Sequence, residues 1–376
     1  MTARAAGVLA ATLGATLAAV PAAALAIWLA AAPGAAAHGE AVPPPPDPAG
    51  LTLGWTFDPA VWLPVLLAAA TGLWAVRRVN AGHPANHVPA GRTWAFLGGL
   101  AATLVALQSG IERYDTTLFS VHMIQHLLLV FVAAPLLILS APVTLALRAA
   151  TPGGRRRLLG VLRSRPVTVI GHPLVAWLAF AAAMWGSHVT PLFDAALEEP
   201  LVHDLEHVLY LGTALLLWMP VAGVDPAPWR LPYPARIFYV LLQLPLNSFL
   251  GVVILFADRP IYPHYVTTGR SWGPSPLEDQ QAAGALMWGL GDLAFLVAIL
   301  LVIAAWMRDE EATTRRREAM EDARASAPAQ AVEDARSSAP AQAVAAAGHE
   351  AELAGEAPPG PSGSAQAPPA GIGAAR

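Results

Sequence analysis

Residues 119–147 read FSVHMIQHLLLVFVAAPLLILSAPVTLAL, a run with no Asp, Glu, Lys or Arg that nonetheless carries two histidines. A helix needs about 20 apolar residues to cross the hydrocarbon of a bilayer, where every backbone N–H and C=O must be satisfied inside the protein. A run of this length therefore reads as a membrane span. Working outward, comparable runs lie at 59–77, 93–111, 167–186, 203–222, 236–257 and 281–306. The expected fold is all-α: a polytopic membrane helix bundle with seven core transmembrane helices, plus an N-terminal signal peptide or extra helix. The composition agrees, because 13% charged and 55% hydrophobic residues stand far from the roughly 25% charge of a soluble domain. There is no cysteine, which excludes a disulfide framework, a thiolate metal site and a catalytic thiol. Any metal has to be held by His, Met or carboxylate.

The regions outside the spans differ in character. Residues 1–37 hold an alanine-rich, uncharged run from Ala5 to Ala32 and then Ala35-Ala36-Ala37, which resembles a small-residue cleavage site. A cut there would leave His38 as the amino-terminal residue, a potential copper chelate. Residues 38–58 form a Pro-rich external linker, since Pro43-Pro44-Pro45-Pro46 cannot be helical. Residues 307–376 form a polar cytoplasmic tail in which EDARASAPAQAV (321–332) is almost copied by EDARSSAPAQAV (333–344). So polar a unit buries no core, and the tail is expected to be disordered or weakly helical. With the first span entering from outside, the inner loops carry 15 arginines, among them Arg77, Arg78, Arg148, Arg155, Arg156 and Arg157, and the outer loops only Arg113, Arg259 and Arg270. This bias satisfies the positive-inside rule and makes the arginine clusters orientation signals for a lipid bilayer, not a nucleic-acid surface. Tryptophans such as Trp55, Trp62, Trp185, Trp218, Trp272 and Trp288 fall toward span ends, as interfacial anchors do.

Chemistry concentrates at one set of span ends. Of 11 histidines, His122, His126, His188, His203 and His207 lie at the outer ends of the third, fourth and fifth spans, with His264 in the next outer loop. His122/His126 and His203/His207 are each spaced i, i+4, so each pair projects from one helix face. Two such faces turned toward each other would put four imidazoles around one point. Neutral imidazole suits copper, zinc and iron, and thioether selects Cu(I), which makes Met123 and Met287 possible accessory ligands. Acidic residues accompany them, namely Glu112, Asp115, Asp204, Glu206, Glu278 and Asp279. Some can orient ligand imidazoles, Asp279 is a further accessory candidate that also suits a helix N-terminus, and Asp194, Glu198 and Glu199 read as solvated loop charges. His83, His87 and His172 read as structural or solvated. His203-Asp204-Leu205-Glu206-His207 matches the H-x-x-E-H pattern of inverted zinc proteases, but the pattern is short and stands alone. No catalytic residue is assigned.

The segments Val121-His122-Met123-Ile124-Gln125-His126, Ala134-Pro135-Leu136-Leu137, Trp185-Gly186-Ser187-His188, His203-Asp204-Leu205-Glu206-His207 and Asp279-Gln280-Gln281-Ala282-Ala283-Gly284 occur in the same order in the CtaG-type, seven-span cytochrome c oxidase assembly proteins. The chain resembles that family over about residues 51–306. The resemblance implies a non-enzymatic factor of the bacterial plasma membrane that helps mature a haem–copper oxidase of the respiratory chain, with oxidase subunits as partners. It maps the family's characteristic histidines onto His122, His126, His188, His203 and His207, and its acidic-glutamine motif onto Asp279 and Gln280. The other CtaG lineage carries copper on cysteines in a single-span protein, and this chain has none. Three roles remain open at this point: transient copper binding at the outer face, a membrane b-type haem or quinol-linked electron carrier with axial histidines, and a metal-free scaffold for oxidase assembly.

Overall fold

The computed structural model describes residues 42–47 and 54–353, with side chains described to Ala327 and at Gln330. The leader 1–37, His38, and the side chains of the second tail repeat lie outside the described residues. All regular structure among them is helical. Among the described residues, six helical stretches are long and apolar enough to cross a membrane: Pro59–Gly82, Ala90–Tyr114, Phe119–Ala149, Pro200–Ala222, Tyr233–Leu255 and Pro276–Ala327. These are the first, second, third, fifth, sixth and seventh spans. The fourth, expected at 167–186, is the shorter helix Pro173–Val189. Its register shift has a local cause. Proline disfavours α conformation in the residue before it, so the chain breaks at Gly171-His172, and the His172 ring accepts from the Leu174 N–H at 3.2 Å as the cap of the new helix.

Lipid-facing and interior surfaces are inverted relative to a soluble protein. Leu66, Trp94, Leu178, Phe249, Leu293 and Leu300 are exposed, whereas Asp115, Gln125, Gln243, Asn247 and Asp279 are buried. Hydrocarbon gives helices no hydrophobic reason to associate, so close packing of small residues and interhelical hydrogen bonds do it. Gly251 and Gly284 let the sixth and seventh spans touch backbone to backbone: a Cβ on Gly284 would lie 2.5 Å from the Leu255 nitrogen. Gly99 similarly admits Leu137 of the third span.

The third span is not a plain helix. It runs α from Phe119 to Leu128, widens into a π turn over Leu129–Ala133, resumes α over Ala134–Leu139, and restarts at Pro142 after Ala141, whose φ is 56°. Proline at 135 lacks an N–H and would clash with the carbonyl four residues back. The π turn accommodates this, with the Ala134 N–H reaching back to the Leu129 carbonyl. The Val130 carbonyl is thereby left without a helical donor, and the Trp218 indole of the fifth span donates to it at 2.8 Å. Trp218 is thus a buried interhelical tie, not the interfacial anchor its position near a span end suggests.

The first compact unit ends at Trp306 and the second comprises the remaining residues. Within the latter, helix continues to Leu353, where disorder or weak helicity was expected. The stretch is rich in alanine and carries i, i+4 pairs such as Glu311–Arg315 at 2.9 Å, both of which favour helix without a core. Its described side chains are exposed throughout, Ala312 alone being half-buried.

Candidate metal centre

The site is assembled from the ends of five helical stretches. The third span begins at Phe119 with no cap of its own. Its cap comes from Asp279, 160 residues away at the start of the seventh span, which accepts from the Phe119 N–H at 2.6 Å and from the Ser120 hydroxyl at 2.5 Å. Arg270 stands 3.9 Å from the same carboxylate. The cap orients the first turn, from which His122 and His126 project. On the fifth span, begun by Pro200 in its first turn, His203, Glu206, His207 and Tyr210 follow at i, i+3, i+4 and i+7 and form one interior stripe.

The four rings meet. Centroids are 4.2 Å apart for His122–His126, 4.3 Å for His203–His207, 5.6 Å for His122–His203 and 6.0 Å for His126–His207. All four side chains are buried. On one flank the rings are held by partners: His203 Nε2 donates to Asp115 at 3.1 Å, and His207 Nε2 donates to the Gln125 Oε1 at 2.9 Å. The Gln125 amide nitrogen in turn donates to Glu112 at 2.6 Å and to the Ala106 carbonyl at 3.0 Å. These bonds put a proton on Nε2 of both rings.

The other flank lacks such partners. Both ring nitrogens of His122 and of His126, and both carboxylate oxygens of Glu206, are buried without a hydrogen-bond partner. His122 Nε2 stands 3.8 Å from Glu206. Ligand atoms from His122, His126 and Glu206 nevertheless fall within 4.8 Å of one another, as do those of Glu112, Asp115, His203 and His207. Buried polar atoms are almost always satisfied, and unsatisfied ones point to a water or an ion. Two imidazoles and a carboxylate form a donor set that a divalent copper, zinc or iron ion accepts.

A roof closes the end of the bundle. Phe193 packs against His122 (5.1 Å) and His188 (5.3 Å) and stacks on Tyr262 at 4.0 Å. The Tyr262 hydroxyl donates to the His188 carbonyl at 3.2 Å and the Tyr265 hydroxyl to the Asp115 carbonyl at 3.0 Å. Burial, reinforced by nearby carboxylates, pushes both phenols above their ordinary range, so they stay neutral donors. The imidazoles, though near an end of the bundle, are therefore enclosed.

The remaining candidates fall into place around this core. His188 sits beside the cluster, its Nδ1 within 2.8 Å of the Met184 carbonyl and 3.2 Å of the Tyr210 hydroxyl. His264 is a tether, its Nε2 donating to the Thr116 carbonyl at 2.9 Å. Asp279 is engaged as the cap described above. Met123 and Met287 are buried and line a small cavity with His126, toward the middle of the third span. Gln125, Tyr210 and Met184 were absent from the sequence-derived set. The i, i+7 stripe starting at His203 would have pointed to Tyr210; no local pattern marks Gln125.

The family model for the cytochrome c oxidase caa3 assembly factor matches residues 70–309. An uncharacterized protein of Mycobacterium bovis and one of Mycobacterium tuberculosis are each 31% identical over 296 residues, and one of Mycobacterium leprae is 29% identical; the alignments cover 76% of this chain. The chain spans 44% of the length of these relatives. No solved structure matches it. The chain belongs to the cytochrome c oxidase caa3 assembly factor family.

Proposed function

We propose that this multi-pass protein of the bacterial plasma membrane is a non-enzymatic assembly factor that holds copper for a cytochrome c oxidase subunit at the His122–His126–Glu206 centre. The observation that carries the reading is the set of unpartnered, buried atoms on those three side chains, converging within ligand distance. His203 and His207 complete the ring of imidazoles, and Asp115 and Gln125 hold them in place. The arginine bias supports an outward-facing position for this end of the bundle. Enclosure by the roof implies slow exchange, suited to holding an ion until the roof opens. When bound, copper would supply charge and affinity for the acceptor subunit; the chain's own groups bind and orient it. The cavity beside His126, about 30 Å³, favours an ion over the porphyrin that a haem protein would need.

Elemental analysis of the purified full chain tests this, alongside the pair His122→Asn/His126→Asn. Copper near one equivalent in the native chain and about tenfold less in the variant is expected, with impaired oxidase maturation in cells. Equal copper in both would remove the proposed ligands, and intact maturation without copper would favour a metal-free scaffold.

A further inference from the structure

We propose a second, chemically different metal position: a Cu(I) site in the cavity where His126 and His188 meet Met123, Met184 and Met287. It deepens the copper reading above and rests on it.

Three of the chain's seven methionines line this one cavity, together with both imidazoles and Tyr210. They come from three different spans, so the convergence is tertiary and not a helical repeat. All three methionines are buried. Methionine often fills irregular gaps in a core, but gap filling does not call for imidazole nitrogens without partners. Here there are such nitrogens. The Met184 carbonyl can only accept, so His188 donates to it from Nδ1 at 2.8 Å, and the lone pair is left on Nε2, which is buried without a partner. Both nitrogens of His126 are likewise unpartnered.

The volume and the donors specify the guest. A cavity of about 30 Å³ exceeds the ~10–15 Å³ that a single water requires and is of the size for one ion. Thioether and imidazole are neutral donors, and thioether selects Cu(I) over harder ions. No carboxylate lines the cavity, so a monovalent ion leaves the smallest net charge buried, whereas a divalent one would be more costly. The His122–His126–Glu206 centre includes a carboxylate and suits a divalent ion. His126 is common to both centres.

The test is anaerobic titration of the full chain with Cu(I) against a chromophoric Cu(I) chelator, repeated with Ag(I) as an air-stable surrogate. The variants are Met123→Leu/Met184→Leu/Met287→Leu, which nearly conserves volume, and Glu206→Gln. Expected is a Cu(I) and Ag(I) affinity about 100-fold weaker in the methionine variant with Cu(II) content unchanged, and the reverse pattern in Glu206→Gln. X-ray absorption of the Cu(I)-loaded native chain should show sulfur scatterers; Met184→Leu alone should reduce them, should the triple variant fail to fold. Cu(I) affinity in the triple variant within about twofold of native, or no sulfur around Cu(I), overturns the proposal. Loss of Cu(II) binding in the native chain with Cu(I)–sulfur binding retained would instead overturn the carboxylate centre alone.

Discussion

Gln125 does more at this site than a neutral amide in a span ordinarily does. Its carbonyl oxygen accepts from His207 Nε2–H and its nitrogen donates to Glu112, so one side chain orients an imidazole and satisfies a carboxylate. Gln125→Ala leaves both without that partner. Copper affinity of the purified protein should fall by about 10–100-fold, the usual effect of losing an outer partner of a metal ligand; an unchanged titration would separate Gln125 from the metal. Neither role was legible beforehand, since a glutamine between two histidines carries no pattern that distinguishes it from an interhelical hydrogen bond. Glu206 was legible in part: it stands in the H-x-x-E-H spacing, but only its unpartnered oxygens beside His122 make it a ligand candidate.

Among the elements, the third span concentrates the irregularities, and two of them are testable. Trp218→Phe would leave the Val130 carbonyl buried and unbonded, a loss of about 1–3 kcal/mol measured by thermal unfolding in detergent. In a Pro135→Ala background the restored N–H offers that carbonyl a helical donor, so the same substitution should cost less than about 1 kcal/mol; equal costs in both backgrounds would disconnect Trp218 from the π turn. The second is the borrowed cap. Asp279→Ala removes the acceptor for the Phe119 N–H and Ser120 hydroxyl and should destabilise by about 1–2 kcal/mol, whereas Asp279→Asn, keeping one oxygen, should cost less. If alanine and asparagine behave alike, the carboxylate serves something other than the cap. A carboxylate opening the seventh span reads from the sequence as a cap for its own helix or an accessory ligand; capping a helix 160 residues earlier is a fact of packing.

For the molecule as a whole, the arginine asymmetry makes a directional claim. The chain has no cysteine, so single introduced thiols report without background. Glu198→Cys, at an exposed position near the roof, should react with a membrane-impermeant maleimide in intact cells, and Arg157→Cys, exposed in the arginine-rich segment between the third and fourth spans, only after lysis. The opposite pattern would place the imidazole cluster on the cytoplasmic side and remove the outward copper route. The bundle class and the family follow from runs of apolar residues and ordered motifs, because the bilayer constrains each span locally and one at a time. The clustering of histidines at corresponding span ends was equally readable, since i, i+4 spacing dictates a shared face. What the tertiary structure alone decided is which nitrogens are already spoken for, which carboxylates join them, and that a roof of aromatic side chains seals them from water. Those depend on hydrogen bonds between residues 82 to 160 positions apart, and no local periodicity encodes such a distance.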